Sequence, residues 1–404
     1  MALQEGGGSP VRTPQLAIRS VRILAVPLLL AGVAAGVAPA ALPAAAQAKS
    51  RVPSSFVPAP GQFYGVAATS ARNAWAVGFN SDLTVIQRWN GKAWKQVNTL
   101  TLAPPNSDFY GVAATSARNA WAVGYTAGET SATLIAHWNG KAWKRVPSPN
   151  PGSSSRLLQG VAATSATNAW AVGYAGSGTL ILHWNGKTWK RVPSPNPGSI
   201  ENGLYGVAAT SATNAWAVGY AESTGPTTTT LILHWNGKTW KRVPSPSPSD
   251  PELYGVTAAS AKNAWAVGYS AVYSEGFKTL TLHWNGKVWK RVPSPNPVKV
   301  SSSELTWNIL QGVAATSANN VWAVGWTETH FVGPKTMILH WNGKAWKKAP
   351  SPNPYCATCD SLYGVAATSA SNAWAVGTLN SDAELVVLRW NGTNWKNSPV
   401  PFGS

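Results

Sequence analysis

The chain repeats one pattern seven times, and this constrains its fold more than any other feature. Gly-Val-Ala-Ala-Thr-Ser starts at Gly65, Gly111, Gly160, Gly206, Gly312 and Gly364, and Gly-Val-Thr-Ala-Ala-Ser at Gly255, at intervals of 46 to 57 residues. Each unit continues with Asn-Ala-Trp-Ala-Val-Gly (Asn-Val-Trp in unit six), a variable polar stretch, a run closing on Trp-Asn-Gly, and another Trp three residues later. Most units end in a Pro-Ser-Pro tail. Repeats of this length are supersecondary units that bury an apolar face only by stacking on their neighbours. Three Trp per unit account for all but two, Trp307 and Trp326, of the 23 in the chain. The Trp excess therefore belongs to the repeat and not to one active site.

Each unit reads as four strands. In unit three, strand a is Gly160 to Ser165 and strand b is the Ala-Trp-Ala-Val-Gly-Tyr run. On strand b, Trp170, Val172 and Tyr174 share one face, and Ala169, Ala171 and Gly173 the other. Strand c is Leu180 to Trp184 and strand d is Lys187 to about Val192, joined by Asn185-Gly186. That dipeptide predicts a two-residue type I′ hairpin pairing Trp184 with Lys187 and Leu182 with Trp189, with both Trp on the face that packs on the next unit. The Pro-rich tail cannot extend a ladder and ends the unit. The expected fold is all-β: a seven-bladed β-propeller of four-stranded antiparallel blades over residues 61–404. A solenoid is the rival arrangement, but it calls for polar capping units that neither end carries.

The N-terminus reads as an export signal. Arg12, Arg19 and Arg22 precede an uncharged stretch from Ile23 to about Ala46, which ends in Ala46-Gln47-Ala48. Residues 1–48 are the expected signal peptide. An uncleaved anchor is the alternative, because the apolar run is long enough to span a bilayer. Residues 49–60 form a tail in which Arg51-Val52-Pro53-Ser54 matches Arg191-Val192-Pro193-Ser194, a candidate clasp strand for the last blade. The formal charge of +18 implies a polyanionic partner. For an exported chain that is an anionic cell envelope and not nucleic acid.

The hairpin Trp-Asn-Gly-Lys-Thr-Trp at Trp184 and Trp235 resembles a degenerate Asp-box of sialidase-type propellers. Gly186, Thr188 and Trp189 fall where that motif has Gly, Thr and Trp, while Trp184 stands in place of its Asp. The repeats also resemble those of bacterial seven-bladed propeller lectins, from residue 61 to about 398. That resemblance implies the fold and a sugar-binding role. A sialidase-like hydrolase would need an arginine cluster, a Tyr/Glu pair and an acid, and no such set is visible. Glycosidase carboxylates would have to come from loop residues such as Glu129, Glu222, Glu275, Glu328 or Glu384.

The histidines do not form a metal set. His137, His183, His234, His283 and His340 occupy one strand c slot on five different blades, with Arg88 and Arg389 there in units one and seven. They are expected to pack within their blades and hold no metal. Cys356 and Cys359 are expected to close a local disulfide in an exported protein. No cofactor is expected.

Charge is segregated. The b–c loops and d–a connections should open on one face, the a–b and c–d turns on the other. All acids after position 48 fall on the first, including Asp108, Glu252 and Asp360, read as connection residues. Lys141, Lys187, Lys238 and Lys287 mark the c–d turns of the second, expected to bind an anionic surface. The variable face also carries aromatics: Tyr125, Tyr174, Tyr220, Tyr269 and Trp326 end strand b, and Tyr205 and Tyr254 precede strand a. These seven are the candidate ligand-binding residues, for sugar or peptide stacking; capping the apolar layer between blades is their structural alternative. The expected function is an exported, non-enzymatic, multivalent protein that binds a glycan or protein ligand. The alternatives are a polysaccharide-active enzyme and an envelope scaffold.

Overall fold

The structure, a computed structural model, describes residues 61–80, 83–152, 155–224, 228–272, 276–299, 305–330, 332–354, 360–379 and 384–400. The expected signal peptide, the Arg51–Ser54 clasp and the Cys356–Cys359 disulfide lie outside the described residues. Among the described residues no helix is long and apolar enough to cross a membrane.

Each repeat forms one antiparallel sheet. In blade three, strand a (Arg156–Ser165), strand b (Asn168–Ala175), strand c (Gly178–Trp184) and strand d (Trp189–Arg191) hydrogen-bond in sequence order. The other six units repeat this order. Blades five and six are joined in addition by a short parallel pairing of Gly276 with Thr306 and Phe277 with Trp307.

Blades stack large on small. Trp121 and Val123 of blade two pack on Ala169 and Ala171 of blade three. Trp170 and Val172 of blade three pack in turn on Ala215 and Ala217 of blade four. The two-residue alternation of strand b thus supplies one bulky and one shallow face, as the sequence predicts. Each strand b Trp also meets both Trp of the next blade's hairpin. Trp170 lies 4.8 Å from Trp235 and 5.1 Å, edge-on, from Trp240. Burying roughly 150–250 Å² per indole at about 25 cal/mol/Å² is worth on the order of 4–6 kcal/mol each as an upper bound.

The same contact closes the ring. Trp374 of blade seven meets Trp89 and Trp94 of blade one at 5.0 and 5.2 Å, and the Thr378 hydroxyl donates to the Gly61 carbonyl at 3.1 Å. Successive strands a, each starting its repeat with Gly-Val, line a central channel of about 170 Å³ to which all seven units contribute. A solenoid would leave the first and last units apart.

The hairpin register corrects the expectation. Trp184 pairs with Trp189, His183 with Lys190 and Leu182 with Arg191. The turn therefore has four residues, Asn185 to Thr188, and strand d starts at Trp189. A type I′ turn needs positive φ at two residues, but here only Gly186 has it, at 91°. Asn185 instead accepts hydrogen bonds on Oδ1 from the Lys187 and Thr188 amides, both at 3.0 Å. This side chain closes the turn in place of a second left-handed residue.

Strand a also starts earlier than its glycine, and it carries a bulge. In blade three the register shifts between Leu158 and Gly160, leaving Gln159 unpaired. The corresponding extra residues are Tyr64, Tyr110, Tyr205, Tyr254, Gln311 and Tyr363. The bulge bends strand a against strand b so closely that a Cβ at Gly173 would collide with the Leu157 carbonyl oxygen. The Val-Gly of every strand b is the sequence mark of this contact.

Candidate functional site

The two faces separate as the sequence predicts. The Trp184 indole donates to the Ala166 carbonyl in the a–b turn at 3.0 Å, which puts the a–b and c–d turns at one end of the blade. The bulges lie at the other end, with the b–c loops. A bulge re-aims a side chain, and here all seven surround one mouth of the central channel.

The mouth is a ring of five tyrosines broken by two glutamines, Gln159 and Gln311. Tyr64 lies 4.6 Å from Tyr110 and 5.8 Å from Tyr363, forming one arc. Tyr205 and Tyr254, 4.9 Å apart, form the second. Strand b backs the ring from within each blade. Tyr125 stacks on Tyr110 at 6.0 Å, Tyr220 on Tyr205 at 5.7 Å, and Tyr269 lies 5.8 Å from Tyr254.

The seven candidate aromatics thus fall into two tiers. Tyr205 and Tyr254 are partly exposed ring members. Tyr125 and Tyr174, on strand b, are likewise partly exposed, and Tyr125 stacks on the ring residue Tyr110. Tyr220, Tyr269 and Trp326 are buried. Trp326 packs with Tyr269 and Ile309 between blades five and six, so it caps the apolar layer there. The Tyr110 and Tyr205 phenols titrate well above the ordinary value of 10, chiefly through burial, and then because neighbouring acids and phenols, Tyr174 included, oppose a second negative charge.

Two acids stand in the mouth, and the reading of them as connection residues is corrected. Asp108 and Glu252 lie within strand a, buried, two residues before the bulge tyrosine. Strand alternation, extended past the glycine, would have placed them beside the ring. Each sits directly opposite the strand b tyrosine of its own blade, Asp108 against Tyr125 and Glu252 against Tyr269. The Tyr125 hydroxyl donates to Asp108 Oδ2 at 3.2 Å. Glu252 accepts hydrogen bonds from Tyr254, Tyr269 and Tyr205. Burial pushes its pKa from 4.5 up to about 7; the three phenols hold it down, and Asp250 adds to the rise. Asp360 is likewise within strand a and fully buried.

The histidine slot is structural. The His183 ring stacks on Trp170 at 4.2 Å and its Nε2 meets Asn168 Oδ1 at 2.8 Å. His137, His234 and His340 repeat the arrangement on their own blades, and His283 Nε2 meets Asn263 Nδ2 at 2.9 Å. Among the described residues no group of three or more His, Cys, Asp or Glu is placed to hold a metal. Arg389 uses the slot differently. Its guanidinium lies 4.8 Å from the Trp374 ring and 5.2 Å from that of Trp89, and it donates to the Ala71 carbonyl at 3.4 Å across the closing seam. On the opposite face, Lys141, Lys187, Lys238 and Lys287 are all exposed on the c–d turns.

No family model matches the sequence, and no curated protein does. Solved structures do match. YCF48 bound to D1 peptide is similar at 16% identity and a TM-score of 0.51, covering 83% of this chain and 93% of that one. The WD40 repeats of RRP9 are similar at 9% identity and a TM-score of 0.53, covering 86% and 99%. The six-bladed Aleuria aurantia lectin reaches a TM-score of 0.48 at 11% identity, covering 86% and 97%, too distant to support an argument about sugar. At such identities the likeness is one of fold: this chain is an all-β propeller built from repeated four-stranded antiparallel sheets.

Proposed function

We propose that the chain is an exported, non-enzymatic binding protein for a glycan or protein ligand, which it takes at the tyrosine-ringed mouth. One observation carries this reading. The bulge in every strand a turns a side chain out of the ladder into a single shared opening, and five of the seven are Tyr. A device that only packed blades together would not gather its residues at a channel mouth. Tyr rings offer flat, rigid, amphipathic contact surface for sugar or peptide. Recognition then belongs to one composite mouth and not to repeated sites between blades, because Trp triads fill those gaps. YCF48, a propeller of similar shape, is known with a peptide bound, so an architecture of this kind accommodates such a ligand.

The test is a screen of the mature protein, residues 49–404, on a glycan array and a peptide array, beside a Tyr205→Ala/Tyr254→Ala variant. We expect ligands in one class whose binding the variant loses at least tenfold. Full retention by the variant, or turnover of a bound glycan, would overturn the reading.

A further inference from the structure

We infer that the arc of blades four and five is a recognition site for an organic ammonium group, with Glu252 as counter-ion and Tyr205, Tyr254 and Tyr269 as aromatic wall. The inference rests on the mouth being the ligand site, and it names the ligand's chemistry.

The argument starts from where Glu252 sits. Strand pairing sets it opposite Tyr269, and the bulge brings Tyr254 of its own blade and Tyr205 of blade four to the same carboxyl. Three phenols donate to it, so their hydroxyls are engaged and their rings are held around one acid. Ring pairs at 4.9 and 5.8 Å make this wall continuous across the blade interface. Glu252 is 9% exposed, a sheltered position at the end of the blade that carries the bulge.

A carboxylate behind aromatic rings discriminates by charge. A cation gains the ion pair with Glu252 in a sheltered setting, and further attraction where it lies over a ring face. A neutral sugar gains only a hydrogen bond, and an anion is repelled. Acids and phenols make up the immediate surroundings of Glu252. Asp250, just before its strand, adds a second acid. Tyr254, Tyr269 and Tyr205 are phenols whose pKa burial has raised, and Tyr220 and Tyr174 stand behind Tyr205. Lys278 is the base on the adjoining strand c, where it pairs with Ser270, next to Tyr269.

Charge balance gives the site a pH signature. With its pKa raised to about 7, the empty site is half protonated near neutrality. An ammonium binds the ionised form, so binding expels a proton. Apparent affinity follows the ionised fraction, which drops about tenfold from pH 8 to pH 6 for such a group.

Calorimetric titration of the full chain with n-butylammonium and with n-butanol, at pH 8 and pH 6, tests the site. We expect butylammonium to bind, butanol not to bind, and butylammonium affinity to fall about tenfold at pH 6. Glu252→Gln, which keeps the shape and an acceptor oxygen, should lose at least tenfold at pH 8 with a melting temperature no lower than that of the parent, because it removes a buried charge. A second arm compares a blocked lysine tripeptide with its norleucine counterpart. Tighter binding of the lysine peptide than of butylammonium identifies a protein side chain as the source, and equal or weaker binding a free amine; either supports the assignment. Equal binding of butanol, full affinity in Glu252→Gln, or no change with pH would overturn it. Glycan or peptide binding on the arrays that Glu252→Gln leaves intact, with no butylammonium binding, would overturn the ammonium assignment while leaving the mouth as ligand site.

Discussion

Asn185 and Gly186 show how much a single residue pair specifies. The dipeptide marks the hairpin unmistakably, yet the turn it makes is set by Asn185 Oδ1 capping two amides and by one left-handed glycine. Ala at both positions removes the caps and places a Cβ at a φ of 91°. We expect Asn185→Ala/Gly186→Ala to lower stability by on the order of 1–3 kcal/mol, read as a shift in the denaturation midpoint. An unchanged midpoint would refute the side-chain closure. Glu252 teaches the reverse. Its type and position were plain, but a lone acid before a tyrosine reads as a solvated connection residue. Only the neighbouring blade's Tyr205 completes its surroundings, 47 positions earlier in the chain.

At the scale of the strand, the slot on strand c carries a pH dependence. His137, His183, His234, His283 and His340 are all depressed from the ordinary 6.5 by desolvation. The folded state therefore takes up their protons later than the unfolded chain does. Their contribution is present above pH 6.5 and is lost as pH falls through the lower folded values. Glu252 and Glu328, raised by burial, act in the opposite sense. For Glu252 the stabilising contribution is complete below pH 4.5 and lost as pH rises through about 7. Five histidines against two acids make acid destabilising overall. We expect the melting temperature to fall from pH 7 to pH 5, and His183→Gln to lessen that slope, by at most one proton's worth. A pH-independent melting temperature would contradict the burial of the slot. In blades one and seven the same slot holds Arg88 and Arg389, whose guanidiniums reach the next blade's turn at Ala117 and Ala71. The second of these spans the one interface that no covalent connection crosses.

At the scale of the molecule, closing the ring turns a one-dimensional repeat into two opposed faces. The c–d turns come to one face, so the exposed lysines of successive blades form one basic surface. Each exposed contact with an anion is worth about 1 kcal/mol or less, but many act together on a polyanionic sheet. We expect mature protein to be retained on isolated cell envelopes at 0.1 M salt and released toward 1 M, as the screening length falls from roughly 10 Å to about 3 Å. Gln at Lys141, Lys187, Lys238 and Lys287 together should release it at lower salt. Salt-independent retention, or equal retention of the variant, would show that the basic face does not dock.

Blade number, strand order, the alternation of Trp and Ala faces and the separation of the two ends were all legible in the sequence. They follow from local periodicity repeated seven times, and local periodicity needs no knowledge of partners. The register of the hairpin, the bulge and the mouth were not. The hairpin register depends on which closure of Asn-Gly costs least once Trp184 and Trp189 pack side by side on the neighbouring blade's Trp121. The bulge lies within each blade, where strand a crosses the strand b glycine at close approach, and it shows only once the two strands are paired. The tyrosine ring and its buried acid follow from blade stacking, which makes neighbours of residues about fifty positions apart.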